Sequence, residues 1–333
     1  MIPREHQAAP RISGVSVSGE PIWIDYSANL MNVVTFFDPV SKYSLSTIEN
    51  LRRMSSLYEK LSVGFWYIME PRLSCMYHSE TAGRTIDRLS LFTGTLYDGN
   101  DMIALNAGIS SVPAVLVVDS NGGLISRYEG EISLFEIERT LQARIALSGY
   151  RDELPQLERP ERPFLSARSA SEMRQLGYAN ADFVLGNVVV PETDQEFNLP
   201  DFYLLNTIYP FGAWYVSRDF IEGKSGSTVY ISCGRSESVL MFAGSDDGAR
   251  VRVHTSIESP HNLAMGKDVK DQSGLWEIRV DECRPYELLT NSGESDVLLS
   301  LQVVSGSFRL YTVEFTAGEP FLIGQPAYRS SRY

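Results

Sequence analysis

Two serines stand three residues apart, Ser41 and Ser44 in 35-TFFDPVSKYSLSTIENLRRM-54, where a strand hands over to a helix. Hydroxyls at that place have two uses. They can accept the unpaired N–H groups of the helix's first turn as caps. One of them could instead attack a substrate, which requires a histidine base held by a carboxylate. The histidines are His6, His78, His254 and His261. Only His78 falls within the body of the first half, where it reads as a surface loop residue, and no G-x-S-x-G elbow is present. The positive end of a helix contributes about 1 kcal/mol, too little to ionise a hydroxyl at neutral pH. We therefore read both serines as caps. Lys42 and Tyr43 between them are either a binding surface or a solvated loop.

Sulfur is sparse. Cys75, Cys233 and Cys283 are far apart and form no C-x-x-C, so neither a zinc site nor a local dithiol is legible. Cys75, in 72-RLSCMYHSE-80 with His78 three residues on, is a candidate single redox thiol whose alternative is an inert, half-buried one. If a bridge exists, Cys233–Cys283 is the expected pairing. No H-E-x-x-H or phosphate-cradling glycine loop occurs, and 244-GSDDG-248 reads as a turn rather than a calcium loop. No metal and no cofactor is expected.

The elements that must carry these groups follow from periodicity. Residues 32–37 and 63–70 are apolar runs of strand length. Between them Leu45, Ile48, Leu51, Met54, Tyr58 and Leu61 recur at helical spacing. A helix over 80–91, a strand over 114–119, a hairpin return over 124–130 after the SNGG turn, and a helix over 133–147 complete the order β-α-β-α-β-β-α. Helices would then cover both faces of a mixed sheet. Residues 150–205 open as a charged, proline-punctuated linker. From Trp214 onward, eight or so short alternating strands separated by Gly, Asn, Asp and Ser indicate a β-sandwich. Trp214, Tyr215, Trp276, Tyr286 and Tyr311 could give it either a core or a flat platform for sugar rings.

Forty-two acidic against 29 basic residues leave a net charge of −13, which disfavours nucleic acid and anionic membranes as partners. No run of 18 apolar residues suggests a transmembrane helix, and 1-MIPREHQAAPRISG-14 lacks the apolar segment of a secretory signal.

The order of these motifs resembles the TlpA-like thioredoxins, and more closely the soluble C-terminal region of the DipZ proteins. In that family a strand leads to C-x-x-C, with a Leu and an Arg following on the helix. In 36-FFDPVSKYSLSTIENLR-52 Ser41 and Ser44 fall on the cysteine positions, and Leu51 and Arg52 on the helix positions. In 109-ISSVPAVLVVDSNGGLISRYEG-130, Pro113 corresponds to a cis proline facing the dithiol, and Asp119 and Gly122 to the family's Asp-x-x-Gly. Further on, 176-LGYANADF-183, 199-LPDFYLLN-206, 212-GAW-214, 285-PYELL-289 and 311-YTVEFTAG-318 are similar to the family's linker and sandwich motifs. The sandwich itself is similar to carbohydrate-binding modules. The fused membrane domain of the family is not read in these residues, and the dithiol is replaced by S-x-x-S.

The resemblance implies an α/β thioredoxin-like domain followed by an all-β, jelly-roll-like sandwich. Its parts would be an N-terminal extension (1–22), a redox-inactive thioredoxin-like domain (23–148), a linker (149–205), the sandwich (206–318) and a tail (319–333). Thiol–disulfide exchange needs a thiolate, so the expected role is binding or structural, on a protein partner or within a complex. Lys42, Tyr43, Val112 and Pro113 would bind in the first domain, since the backbone before the proline pairs with substrate as an added strand in redoxins. Trp214 and Trp276 would bind in the second. Two alternatives remain open: a thiol–disulfide oxidoreductase using Cys75, and a glycan-binding protein working through the sandwich. The family implies a periplasmic or extracytoplasmic location, while the missing leader leaves a cytoplasmic one open.

Overall fold

The computed structural model describes residues 7–91, 95–130, 132–150, 153–157, 171–180, 188–234, 236–255, 264–291 and 296–317. The expected tail, much of the expected linker, His6 and His261 lie outside them. Contacts divide the chain into two compact units. One comprises Met1–Phe164 with Asp281–Pro285; the other comprises Leu165–Val280 with Tyr286–Tyr333.

The first unit is a thioredoxin-like α/β domain. Its strands are β1 (Ser13–Val15), β2 (Pro21–Trp23), β3 (Met31–Phe37), β4 (Val63–Met69), β5 (Thr95–Tyr97), β6 (Ala114–Asp119) and β7 (Leu124–Glu129). Its helices are α1 (Lys42–Tyr58), α2 (Ser79–Arg88), α3 (Met102–Asn106) and α4 (Leu134–Leu147). The sheet order is β2-β1-β5-β4-β3-β6-β7. β3 runs parallel to β4, and β4 to β5, while β6 is antiparallel to β3. All seven residues of β3 are buried, as befits a central strand covered on both faces. On one face Ile48, Leu51, Met54 and Tyr58 of α1, Ala82 of α2 and Ile137, Leu141 and Ile145 of α4 meet Val33, Phe37, Met69 and Val117. On the other, Ala104 of α3 joins Ile12, Ile24, Val34, Phe36, Ile68 and Leu116. The stretch expected as an extension supplies β1 and β2, a hairpin that pairs with β5.

The second unit is all-β. Its strands are β8 (Ser171–Gln175), β9 (Thr193–Phe197), β10 (Thr207–Val216), β11 (Ile221–Gly223), β12 (Thr228–Cys233), β13 (Ser236–Gly244), β14 (Ala249–Thr255), β15 (Ala264–Met265), β16 (Lys270–Gln272), β17 (Leu275–Val280), β18 (Arg284–Asn291), β19 (Val297–Ser305) and β20 (Phe308–Ala317). They form one curled sheet in the order β15-β18-β13-β20-β11-β10-β12-β19-β14-β17-β16, with β8 on β20 and β9 on β10. β10 makes the fold-over. Thr207–Phe211 pair with β12, whereas Gly212–Val216 pair with β9 and Trp214–Val216 with β11. The change falls at Gly212, whose φ of +81° is in the region that glycine enters without a Cβ penalty. The two halves close on a single core that includes Val229, Leu301, Val251 and Ile278 from one and Met241, Leu310, Val313 and Phe315 from the other, the packing of a sandwich. β8 and β9 lie in the stretch expected to be linker, so the sheet begins well before residue 206. Asp246 pairs with Arg309, and Asp247 accepts from the Ser307 N–H at 2.9 Å and hydroxyl at 2.8 Å, which closes the 244–248 turn.

Among the described residues no helix is long and apolar enough to cross a membrane.

Candidate functional site

Three strand ends and one helix start converge in the first unit. Phe37, Met69 and Tyr97 are partners across β3, β4 and β5, so the next residues, Asp38, Glu70 and Asp98, sit side by side at the carboxyl edge of the sheet. The Glu70 N–H donates to the Phe37 carbonyl, and the Asp98 N–H to the Met69 carbonyl, each at 2.9 Å. From the other side, Phe36 is paired with Ala114, which brings Val112–Pro113 to the same edge. The Val112–Pro113 peptide is cis.

Both serine hydroxyls are engaged. Ser41 is the N-cap of α1 and its Oγ accepts from the Ser44 N–H at 3.5 Å. Ser44 is fully buried, and its Oγ accepts from the Asp38 N–H at 3.1 Å. The Asp38 carboxylate in turn accepts from the Val40 N–H at 2.9 Å, tying down the 38–41 loop. Among the described residues neither hydroxyl meets a histidine or a carboxylate oxygen, so neither has the base that nucleophilic attack requires. Tyr43, between them, exposes 40% of its surface.

Beside these caps lies a group that sequence reasoning missed. Glu70 is 4% exposed, and its Oε1 is buried with no hydrogen-bond partner. Arg72 approaches its other oxygen, Oε2, at 3.9 Å, and Asp38 Oδ2 at the same distance. Burial pushes the Glu70 carboxyl up to about 7; the neighbouring Asp101, Asp98 and Asp38 charges add to the rise, and Arg72 offsets part of it. The signal was present in 65-FWYIME-70: an acid ending an apolar run that every other residue marks as a central strand. Asp98 is spent differently, accepting from the Ile103 and Ala104 N–H groups at 3.1 and 2.8 Å to cap α3.

The loop before the cis peptide is cinched from β7. Glu129 Oε2 accepts from the Ser110 N–H (3.0 Å), the Ser110 hydroxyl (2.6 Å) and the Ser111 N–H (3.2 Å), while Arg127 pairs with Oε1 at 2.9 Å. Burial would raise the Glu129 carboxyl, but these donors outweigh it and hold the group below its ordinary range. Val112 itself makes no backbone hydrogen bond among the described residues.

The cysteines correct the sequence reading. The bridge joins Cys75 to Cys283 rather than Cys233 to Cys283. Cys75 lies in the single turn Ser74–Tyr77 after β4, and Cys283 in the Asp281–Pro285 segment of the same unit. Next to Cys283, Glu282 pairs with Arg88 at 3.6 Å and Arg84 at 4.0 Å, both on α2. A separation of 208 residues is beyond any spacing argument. Cys75 is therefore a bridged sulfur and not a free redox thiol. Cys233 is free but buried; it points with Val229 and Ile231 into the sandwich core, and burial pushes its thiol up, away from the reactive thiolate.

Three of the five aromatic residues expected as a platform are corrected as well, while Tyr215 and Trp276 are half-buried. Trp214, Tyr286 and Tyr311 are 1%, 0% and 2% exposed, and Trp276 is half-buried against the same core. Trp214 shares the inward face of β10 with Ile208 and Val216, and its ring N–H is used by the Phe211 carbonyl at 3.1 Å. A ring so enclosed cannot stack on a ligand. Ile208, Trp214 and Val216 share one parity along β10 and are all in the core, which places Phe211 on the opposite, outward face.

Comparison with known proteins bears on both units. Residues 172–318 match the family model described as the thioredoxin like C-terminal domain. That match covers the second unit's strands from β8 to β20. No curated protein matches the chain. Among solved structures, a thiol:disulfide interchange protein of the thioredoxin family from Chlorobium tepidum is similar at 17% identity, covering 43% of this chain and 98% of its own, with a TM-score of 0.37. The thioredoxin domain of a thiol-disulfide oxidoreductase from Bacteroides vulgatus is similar at 13% identity over 43% and 98%, with a TM-score of 0.36. A secreted disulfide oxidoreductase of Mycobacterium tuberculosis is similar at 16% identity over 41% and 95%, with a TM-score of 0.33. These are likenesses and assign no activity to this chain.

Proposed function

We propose that this chain is a TlpA/DipZ-like thioredoxin relative whose first unit binds a protein partner without dithiol chemistry. One observation carries the reading: the two side chains at the reactive positions, Ser41 and Ser44, are hydroxyls already committed to capping α1 and holding its entry loop. A serine forms no disulfide, and without a base it stays protonated. What the edge of the sheet still offers is shape and backbone. Val112 has an unspent N–H and C=O beside Pro113, and Tyr43, in the first turn of α1, is 40% exposed. An extended peptide segment of a partner would add there as a strand, its main chain giving affinity and its side chains specificity.

The competing reading, a thiol oxidoreductase working through Cys75, would run through the Cys75–Cys283 pair, whose bridged form is the oxidised half of such a cycle; insulin-disulfide reduction that disappears with Cys75→Ser would favour it. The bridge supports an oxidising compartment, where structural disulfides persist. The test is a displayed decapeptide library panned on the intact chain, followed by amide NMR of the selected peptides. The proposal expects selected peptides to shift the Val112 resonance and to lose binding with Tyr43→Ala. Selection of no peptide, or of peptides that leave Val112 unmoved, overturns it.

A further inference from the structure

Strands β10-β12-β19-β14-β17-β16 are neighbours in one half of the second unit's sheet. Their inward residues, Ile208, Val229, Leu301, Val251 and Ile278 among them, form the core. Outward residues alternate with these, and one register row runs Phe211–Thr228–Gln302–Arg252–Glu277–Lys270. The row is apolar at one end and cationic at the other.

At the cationic end Arg250, Arg252 and Lys270 share one carboxylate. Arg250 donates through Nη2 to both Glu277 oxygens, at 3.2 and 2.9 Å. Arg252, on the same strand, is left with Glu277 Oε1 at 3.6 Å, beyond a hydrogen bond. Its Nε is buried with no partner. A guanidinium is a planar fork of five donors, and a buried donor without an acceptor is costly, so Arg252 calls for an acceptor from outside. Lys270, opposite Glu277, is exposed and makes no hydrogen bond or ion pair among the described residues. Asp271, next along β16, has the parity of Trp276 and closes the turn to Gly274. The row therefore keeps local positive charge on a chain whose net charge is −13.

At the apolar end a short stretch folds over the sheet. The Leu204 N–H donates to the Tyr209 hydroxyl at 2.6 Å, and the Gly234 N–H to Asn206 Oδ1 at 3.0 Å. Tyr203 lies against Tyr209 and Tyr230, with ring centroids 5.0 and 6.4 Å away. This arrangement buries Tyr209 and leaves Phe202, Leu204 and Leu205 exposed. Phe211, 42% exposed, stands edge-on to Tyr230 at 6.4 Å. Soluble surfaces seldom gather so many large apolar side chains unless a partner covers them.

We propose that this face binds an acidic segment of a partner protein that carries a large apolar anchor. The anchor packs on Phe211 and Tyr230. A carboxylate takes paired donors of Arg252, the bidentate geometry that a guanidinium favours, and Lys270 adds charge. Phe211 and Arg252 are three strand spacings apart, about 14 Å, and an extended chain rises about 3.4 Å per residue. The carboxylate therefore stands about four residues from the anchor. Side chains carry this contact, because the middle of a sheet face offers no free backbone edge; it differs in kind from strand addition at Val112. A polyanion would meet the repulsion of the whole chain, whereas one or two carboxylates meet mainly the local charge. A small oxyanion would leave the apolar end bare.

The test probes a spot array of dodecapeptides with the full chain. In the array an aromatic residue or Leu and an Asp or Glu stand at varied separations, and hits are measured by fluorescence anisotropy. Heparin, inorganic phosphate and phosphatidylserine-containing vesicles are run alongside. Binding is expected to peak near a separation of about four residues and to weaken as salt rises. Phe211→Ala and, separately, Arg252→Gln should each raise Kd by about tenfold. Lys270→Glu, a reversal at an exposed side chain that spares the core, should raise it by about threefold. Tyr43→Ala should leave it unchanged, which separates this site from the Val112 groove. Three results would overturn the proposal: acidic peptides bind no better than versions with Asn or Gln in place of the acid; binding survives Phe211→Ala and Lys270→Glu unchanged; or only heparin, phosphate or the vesicles bind.

Discussion

Replacing Glu70 by Gln should abolish a pH dependence that the structure builds into the first unit. The carboxyl is buried beside three aspartates and is pushed up to about 7 from an ordinary 4.5. Because the folded value exceeds the unfolded one, the protonated acid favours folding. That contribution is complete below about pH 4.5 and is lost as pH rises through 7. Two and a half pKa units at 1.36 kcal/mol each correspond to about 3 kcal/mol across the whole window, most of it between pH 5 and 8. Gln is a neutral analogue of the protonated acid and titrates nowhere in that range. The difference in stability between Glu70→Gln and the parent should therefore be small at pH 5 and grow in favour of the variant by about 2–3 kcal/mol at pH 8. Taking this difference cancels every group that titrates alike in both proteins. With two units present, global unfolding is not a single transition, so the measurement is native-state hydrogen exchange of the β3 and β4 amides, corrected for intrinsic rates. A difference that stays constant from pH 5 to pH 8 would refute the assignment of a buried, strongly perturbed acid.

Three further outcomes are expected. A non-reducing peptide map should contain one linked pair, Cys75 with Cys283, and Cys233 should resist alkylation until the chain is unfolded; a Cys233-containing bridge would contradict this. Trp214→Ala should destabilise the second unit by about 3–5 kcal/mol in urea unfolding without a specific effect on surface binding, since the ring is enclosed in the core. Removing the Glu129 clamp with Glu129→Gln should speed hydrogen exchange at Ser110 and Ser111, whose N–H groups its carboxylate accepts; unchanged exchange there would show that the clamp does not hold that loop.

The parts of the fold written in local pattern were legible, and those written in pairing were not. β3, β4 and β6 are continuous apolar runs because both of their faces are covered, and α1 shows its buried stripe from Ile48 to Tyr58. β5 has three residues, too few for any period, and β1 and β2 are as short. β9 reads TDQEF and is largely exposed, so its polar sequence passes for linker; only its register on β10 makes it a strand. At the site, the hydroxyls and the proline could be found by spacing, because both sit at element boundaries. The Glu70 environment depends on three strands ending level, and the Cys75–Cys283 bridge on tertiary structure, neither of which leaves a local trace. Trp214 was weighed by residue type rather than by alternation: it shares its parity with Ile208 and Val216, the inward residues of β10.

The central claim concerns electrons, and insulin-disulfide reduction tests it most directly. The intact chain, supplied with a thiol reductant, should reduce insulin no faster than the reductant alone, and Cys75→Ser should change nothing. The double substitution Ser41→Cys with Ser44→Cys should restore turnover, because both positions sit at the N-terminus of α1, where a thiolate is favoured. Turnover by the unmodified chain, above all turnover that disappears with Cys75→Ser, would contradict the account.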